Sequence, residues 1–404
     1  MSTSLLYHAF GIQGYHYVRT QYAGGAVIFT INRNRHDLKC PSCNSKDITL
    51  RGKINRRIRA LPIGKKTVYI DFPVQRVGCQ SCGSIRQAKL GFAADRRTYT
   101  KAFERYALEL SRHMTILDVA EHLGVGWDLI KEIQKRYLSK KYKRPSLDNI
   151  EKIAIDEICI GKGHRYLTVV LNLQTGAVIF VGDGKGADAL LPFWKRVRRA
   201  KKEIKAVAID MSPSYISAVI NNLPEATIVF DHFHVIKLYN EKLSGLRRDL
   251  QREAEGPLQK EVLKGTRWLL LKNTENLNED RNEHKRLEEA LQFNKPLATA
   301  YYMKDELKQI WKKNTKAEAE ECLNDWIEKA RGTDIRMLKK FANTLAAHAS
   351  GILNYYDYPI STGPLEGTNN KIKTLQRQSY GFRDHDFFKL KIFALHESKY
   401  ALVG

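Results

Sequence analysis

From Lys152 onward the chain changes period in a way that few architectures satisfy. KIAIDEICI, RYLTVVLNL and AVIFVGDG follow one another with little but turn residues between them. Three strands in succession read most simply as an antiparallel meander. An amphipathic helical stretch, Ala187–Ala200, comes next. It is followed by the short apolar strand KAVAID, a helix over Pro213–Asn222, the strand ATIVFD and more helix. A βββαβαβα order points to a mixed sheet with helices on both faces, the ribonuclease-H-like arrangement. Residues 235–350 are helical in character and carry no strand pattern, and a last helical region follows the turn cluster Ser361–Pro364.

Two of those strands carry an acid where a buried strand has no use for one. Asp156 sits mid-strand between apolar neighbours in KIAIDEI, and Asp210 ends KAVAID. A carboxylate inside a sheet is unfavourable unless something pairs with it. A third acid, Glu366, stands at the start of a helix in GPLEGTNNKIK. Taken singly each has an ordinary explanation: an Asp at a strand end forms turns or caps helices, and a Glu in a first turn complements the helix dipole. Together they suit phosphodiester chemistry, in which two divalent ions about 4 Å apart serve the attacking and the leaving oxygen. Magnesium or manganese takes hard carboxylate ligands. Asp156 is then expected to bridge both ions, Asp210 to bind one and Glu366 the other, with the helical stretch spanning the long gap before Glu366. Glu157 faces the opposite side of the strand and is the weaker candidate.

Four of the six cysteines fall in two pairs, Cys40–Cys43 in CPSC and Cys79–Cys82 in CQSC. Each CxxC offers two thiolates from one tight turn, and two such turns make a tetrahedral four-sulfur site suited to zinc. Asn44 and Gly83 follow the pairs, as knuckle turns require. The spacer is longer than a usual ribbon allows, which predicts a hairpin of its own. His36 is an alternative ligand that four cysteines make unnecessary; Cys159 and Cys322 are read as buried thiols. The spacer is basic, and Arg56, Arg57 and Arg59 are candidates for DNA-backbone contact, with a solvated hairpin as the competing reading.

The overall charge favours a polyanionic partner. Lys and Arg number 68 against 44 Asp and Glu, a formal +24. Such a surplus displaces counterions from nucleic-acid phosphates. A reader of DNA is visible in TILDVAEHLGVGWDLIKEIQKRY. Thr115 caps a helix running to His122, Gly124 takes the positive φ of the turn, and Gly126–Tyr137 forms a second helix. Trp127 and Lys131 stand near its N-terminal end, where base edges are read, and Lys135 and Arg136 begin a basic tail. The competing reading is a plain helical hairpin.

The fold class expected is therefore multidomain α+β. Residues 1–97 form an N-terminal arm and zinc-finger domain and 98–148 a helix-turn-helix domain. Residues 149–238 and 355–404 form the ribonuclease-H-like α/β catalytic domain, with 239–354 a helical insertion. The longest apolar stretches, such as Leu167–Leu173, are strand-sized, and the first residues lack a basic n-region and an apolar h-region. No membrane partner is expected, and the cytoplasm, in association with the nucleoid, is the expected compartment.

Three runs carry a resemblance to a known family: IAIDEICIGKGHRYLTVVLNLQTGAVIFVGDGK, VAIDMSPSYISAVINNLPEATIVFDHFHVIK and GPLEGTNNKIKTLQRQSYGFRDHDFFKLKIF. With them the chain resembles the insertion-sequence transposases of the ISL-three family along nearly its whole length. That resemblance implies a DDE triad of Asp156, Asp210 and Glu366, and a finger of Cys40, Cys43, Cys79 and Cys82. Asp231, His232 and His234 of DHFHV match the family's acid-x-Phe-His stretch and are accessory candidates, against a reading as satisfied core residues. RWLLLKN, Arg267–Asn273, also looks familial. Trp268 there is a candidate for stacking on an unpaired base, against a buried helix residue. Lys371 and Lys373 are candidates for lying along DNA.

The resemblance implies a transposase that binds its element's terminal inverted repeats, cleaves DNA with two magnesium (or manganese) ions and joins the freed end to target DNA. Holding two ends together requires at least a homodimer. Two rivals remain from the sequence: a transposase-derived DNA-binding regulator, and a ribonuclease-H-like nuclease acting on other nucleic acids.

Overall fold

The computed structural model describes residues 5–161, 163–272, 274–292 and 294–395; of the segments named above, residues 1–4, 162, 273, 293 and 396–404 lie outside these. The chain divides into two compact units. One is formed by the chain up to Lys143 together with the segment from Thr374 onward, the other by Arg144–Lys373.

The first unit opens on a short helix, α1 (Leu5–Phe10), and a sheet of β1 (His16–Ala23), β2 (Ala26–Asn32), β3 (Ile48–Arg59), β4 (Val68–Cys79) and β5 (Ile85–Gln87). Its order is β1-β2-β4-β3, with β5 also on β4; β2 and β4 run parallel and the other pairs antiparallel. Phe10, Val27, Phe29, Ile31, Ile58, Ile70 and Phe72 fill its core. The spacer between the cysteine pairs is the expected hairpin, β3 against β4 with Ile48 opposite Cys79. The first 30 residues, expected as an arm with a strand-like end at Ala26–Ile31, keep that strand as β2 and add α1 and β1, the latter hairpinned on β2 and almost wholly exposed.

Next come α2 (Lys101–Leu110), α3 (Ile116–Leu123) and α4 (Trp127–Lys141). They share a small core of Phe103, Ala107, Val119, Ala120, Leu123, Ile130 and Ile133. This is the apolar spacing of the sequence folded onto itself.

The second unit holds β6 (Lys152–Gly161), β7 (Arg165–Asn172), β8 (Val178–Asp183), α5 (Leu191–Ala200), β9 (Ala206–Ile209), α6 (Pro213–Asn222) and β10 (Thr227–Phe230). The sheet order is β10-β9-β6-β7-β8. The first three strands in sequence form the expected meander, and β9 and β10 add in parallel on the other side of β6. Helices α7 (His232–Glu253), α8 (Pro257–Gly265), α9 (Glu283–Gln292), α10 (Lys295–Lys308), α11 (Lys316–Arg331) and α12 (Arg336–Leu353) follow. One apolar core runs from Ile153, Val207 and Ile209 in the sheet through Val235 and Tyr239 of α7 to Trp326 and Phe341. The helical stretch thus shares its interior with the sheet. Helix α13 (Gly363–Gln378) completes this unit at its N-terminal end, and α14 (His385–Phe393) belongs to the first unit. Among the described residues no helix is long and apolar enough to cross a membrane.

Candidate functional site

The four cysteines converge because β3 and β4 carry both knuckles to one end of the hairpin. Asn44 and Gly83 have φ of 61° and 68°, and each donates its N–H to the first cysteine of its pair, Asn44 to the Cys40 carbonyl and Gly83 to the Cys79 carbonyl. All four sulfurs lie within 4.8 Å of one another. Sulfurs about 2.3 Å from a central zinc define a tetrahedron with edges of roughly 3.8 Å. The Cys40–Cys82 and Cys43–Cys79 separations are 3.7 and 3.5 Å, so the donor set fits zinc. Its protonation tells the same story. The Cys43 N–H and the Ser84 hydroxyl pull Cys40 down to about 5. The Ser45 N–H favours a Cys43 thiolate, but the Cys79 and Cys82 sulfurs push that group up to about 12. His36 is not part of the cluster.

The helix-turn-helix forms where the sequence puts its caps. Thr115 accepts from the Asp118 N–H while Asp118 reaches back to the Thr115 N–H, a complete capping box at the start of α3. Gly124 ends α3 with φ 60° and ψ 47°, a conformation that suits glycine, and Gly126 opens α4. Trp127 is half exposed at the head of α4. The basic candidates beside it are engaged within the protein. Lys131 and Lys135 both pair with Asp384, the residue capping α14, at 3.3 and 2.8 Å. Arg136 bonds Glu104 at 2.6 Å and the Tyr99 hydroxyl at 2.9 Å.

The hairpin arginines divide similarly. Arg59 is 6% exposed and donates to the Leu123 carbonyl, so it ties the sheet to the helices and has no face left for a phosphate. Arg57 forms a two-pronged pair with Asp71, and Arg56 donates to the Arg97 carbonyl. Trp268 is not a buried helix residue: it is 65% exposed, on a turn after α8, with the Arg267 guanidinium 4.8 Å from its ring centre. Lys371 and Lys373 are exposed on α13.

The carboxylates meet through strand register. Lys152, Ile153 and Ala154 of β6 pair with Ala206, Val207 and Ala208 of β9. Continuing that register brings Asp156 level with Asp210, and paired residues on neighbouring strands face the same side. On the other flank Phe230 pairs with Ile209, and the Asp231 N–H donates to the Ile209 carbonyl at 3.3 Å. Asp156, Asp210 and Asp231 therefore form a row across three parallel strands. Glu157 points away and accepts from the Tyr215 hydroxyl at 3.0 Å.

Helix α13 is pinned against this row at two points. The Thr362 hydroxyl donates to Asp231, and Asn369 Nδ2 donates to Asp156 Oδ2 at 2.8 Å. Residues 362, 366 and 369 follow helical spacing and share one face, so Glu366 lies between the two anchors. Glu366 itself is exposed. The three acids do not converge on a point: among the described residues only the cysteines form a group of three or more ligand atoms mutually within 4.8 Å.

Burial drives the Asp156 carboxyl above its ordinary value, with the Asp210 and Glu157 charges adding to the effect against the Glu157 N–H and His234. Burial would lower His234, but its bond to Asp231 and the charges of Asp156, Asp231 and Asp210 hold it raised. Asp231 is buried, yet its bonds to His234 and Thr362 keep it lowered. His234 is thus mostly covered and tied to Asp231, whereas His232 is half exposed against Trp311 and Tyr355. Sequence reading missed Thr362 and Asn369. Their signal was present in TGPLEGTN, polar residues one and two helical turns apart on the face that bears Glu366.

A family model described as a transposase matches residues 153–392. The helix-turn-helix domain of transposase family ISL3 matches residues 88–138, and the zinc finger of the transposases of IS204, IS1001, IS1096 and IS1165 matches residues 38–82. The transposase for insertion sequence element IS1001 of Bordetella parapertussis is 34% identical over 391 residues, 95% of this chain and 96% of that protein. The transposase for IS1557 of Mycobacterium tuberculosis is 26% identical over 370 residues, 85% and 82% of the two chains. With its transposase match covering more than half its length and a relative this similar almost end to end, the chain belongs to the ISL3 family of insertion-sequence transposases.

Proposed function

We propose that the chain cleaves DNA at the terminal inverted repeats of its insertion sequence and transfers the freed 3′ end to target DNA, with Asp156, Asp210 and Glu366 as the catalytic acids. The observation that carries this is the double anchoring of α13: Thr362 on Asp231 and Asn369 on Asp156 hold Glu366 beside the row. The β6–β10 sheet, a meander extended by two parallel strands, supports a ribonuclease-H-like catalytic domain, with the helices over 239–354 inserted between the second and third acids.

The residues present fit divalent cations. Asp156 is a buried carboxyl beside other carboxyls, and Asn369 Oδ1 is a buried acceptor without a partner. Ligands of two ions about 4 Å apart need not lie within 4.8 Å of one another, so the spread of the acids is compatible with a two-ion centre. Asp156, Asp210 and Glu366 would hold magnesium or manganese, which when bound lowers the pKa of the attacking water or hydroxyl and stabilises the leaving oxygen. The rest is the work of side chains: Asn369 orients Asp156, Asp231 fixes His234 and the start of α13, and the raised pKa of His234 favours its positive form at an edge that must approach phosphate. The zinc finger and the helix-turn-helix supply end binding. Because two ends must be joined to one target, the active form is at least a dimer.

The test uses Asp156→Asn, Asp210→Asn and Glu366→Gln on the full chain. Each variant is expected to bind the terminal-repeat duplex like the parent and to give no magnesium-dependent nick at the repeat's edge. Nicking that survives any of the three substitutions overturns the assignment of that residue.

A further inference from the structure

A groove of about 580 Å³ runs along one face of α7, closed on its far side by Arg267 and Leu271. Its lining is cationic: Lys237, Arg247, Arg248 and Arg267 against a single acid, Glu241. Among the described residues none of these four cations lies within ion-pair distance of a carboxylate. Arg247 is the most telling. It is 6% exposed, and its Nη1 is committed to the Leu263 carbonyl at 2.8 Å and to Gln251 at 3.0 Å. Its Nε is buried with no partner, as is Asn240 Oδ1 on the same wall. Burial, with the neighbouring Arg267 and Arg248 charges, pushes Arg247 below arginine's usual value. A buried guanidinium held rigid beside two of its own sign is unfavourable unless an anion joins it.

Position decides which anion. Phe233, at the head of the groove, lies between His232 and His234, next to the carboxylate row. From there to Arg247 the helix advances about 21 Å at 1.5 Å per residue. That matches the axial rise of roughly six nucleotides of one strand.

We propose that this groove binds backbone phosphates of the DNA strand that passes the carboxylate row, with Arg247, Arg248 and Arg267 holding the phosphates farthest from it. The inference rests on the catalytic reading only for its direction of approach, and its test is run without divalent metal, so loss of cleavage and loss of groove binding are read separately. Affinity of the full chain for a terminal-repeat duplex is measured by fluorescence anisotropy across a range of salt. Arg248→Gln with Arg267→Gln should lower the slope of log affinity against log salt by roughly 1.8, about 0.9 for each phosphate no longer neutralised. Arg252→Gln, on the same helix but outside the groove lining, serves as the control and should leave the slope unchanged. Far-UV circular dichroism and the melting temperature of each variant establish that it folds. An unchanged slope in the folded double variant overturns the proposal, and so does an equal fall in the control, which would reduce the effect to general charge.

Discussion

Replacing Asn369 with Ala separates positioning of the acids from the acids themselves. Asn369 is 6% exposed and gives Asp156 a hydrogen bond of 2.8 Å. A hydrogen bond to a charged group contributes about 1.5–3 kcal/mol. Without it the Asp156 carboxylate, already raised by burial, becomes harder to ionise, and a divalent ion must compete with a proton more tightly held. At about 1.4 kcal/mol per decade the missing bond corresponds to roughly 10–100-fold in metal affinity, the range usual for partners that orient metal ligands. The assay is a manganese titration of nicking on a terminal-repeat duplex at saturating DNA, with a thermal melt in parallel. The half-maximal manganese concentration should rise by that factor, and high manganese should restore most of the rate. A lower melting temperature with an unmoved metal midpoint would refute the reasoning and reduce Asn369 to an anchor of α13.

Four further outcomes are expected. Asp156→Asn should raise the melting temperature of the metal-free protein at neutral pH, because a carboxyl whose folded pKa is raised opposes folding once ionised; the gain should vanish below about pH 3.9. Asp384, held down to about 2 by Lys135, the Phe387 N–H and Lys131 against its burial, contributes stability that is complete above about pH 4 and is lost as pH falls toward 2. Asp384→Asn, still a good helix cap, should therefore destabilise the first unit by about 1 kcal/mol at pH 7 after allowing for solvent screening, with urea curves of parent and variant converging near pH 2. Chelation of zinc, or Cys43→Ser with Cys79→Ser, should release about one zinc per chain and abolish terminal-repeat binding, as read by a colorimetric zinc assay and anisotropy; binding that persists after full zinc loss counts against a role for the finger. Gly351→Ala should cost about 1–3 kcal/mol by overpacking, since its new methyl would run into the Phe230 ring beneath α12, and a neutral melt would contradict that packing.

How much was legible depends on how far apart the interacting residues lie in the chain. Thr115, Gly124 and Gly126 set caps through bonds to neighbours three or four positions away, so α3 and the start of α4 could be read almost to the residue, whereas α4 runs on to Lys141, four residues past the expected Tyr137. The knuckles were legible for the same reason, and the meander because each of its strands is a mostly apolar run bounded by turn residues. Strand β1 was not, because almost every residue in it faces solvent and no alternation marks it. Nor were the fates of the basic residues. Lys131 and Lys135 meet Asp384 across most of the chain's length, and Arg59 is buried by helices that begin after it. A count of positive charges says how many there are and cannot say which ones the fold spends on itself.

The site shows where that limit falls. IAID, VAID and IVFD each place an aspartate directly after buried apolar residues, and the three strands run parallel. Strands β9 and β10 end directly before Asp210 and Asp231, and their parallel register sets both level with the mid-strand Asp156, so register alone aligns three carboxyls without any local contact among them. Asp231 was read only as an accessory because its partners were invisible: it caps α7, and it accepts from the Thr362 hydroxyl, on a segment the chain reaches only after α12. An edge of three acids is unfavourable by itself. What offsets it in this fold is the Ser212 N–H on Asp210, the Glu157 N–H and the Asn369 amide on Asp156, and His234, Thr362 and the Phe233 N–H on Asp231. The remaining deficit of positive charge at this edge is the reason to expect metal there, and the unpaired cations of the groove beside it are the reason to expect DNA backbone to complete the site with it.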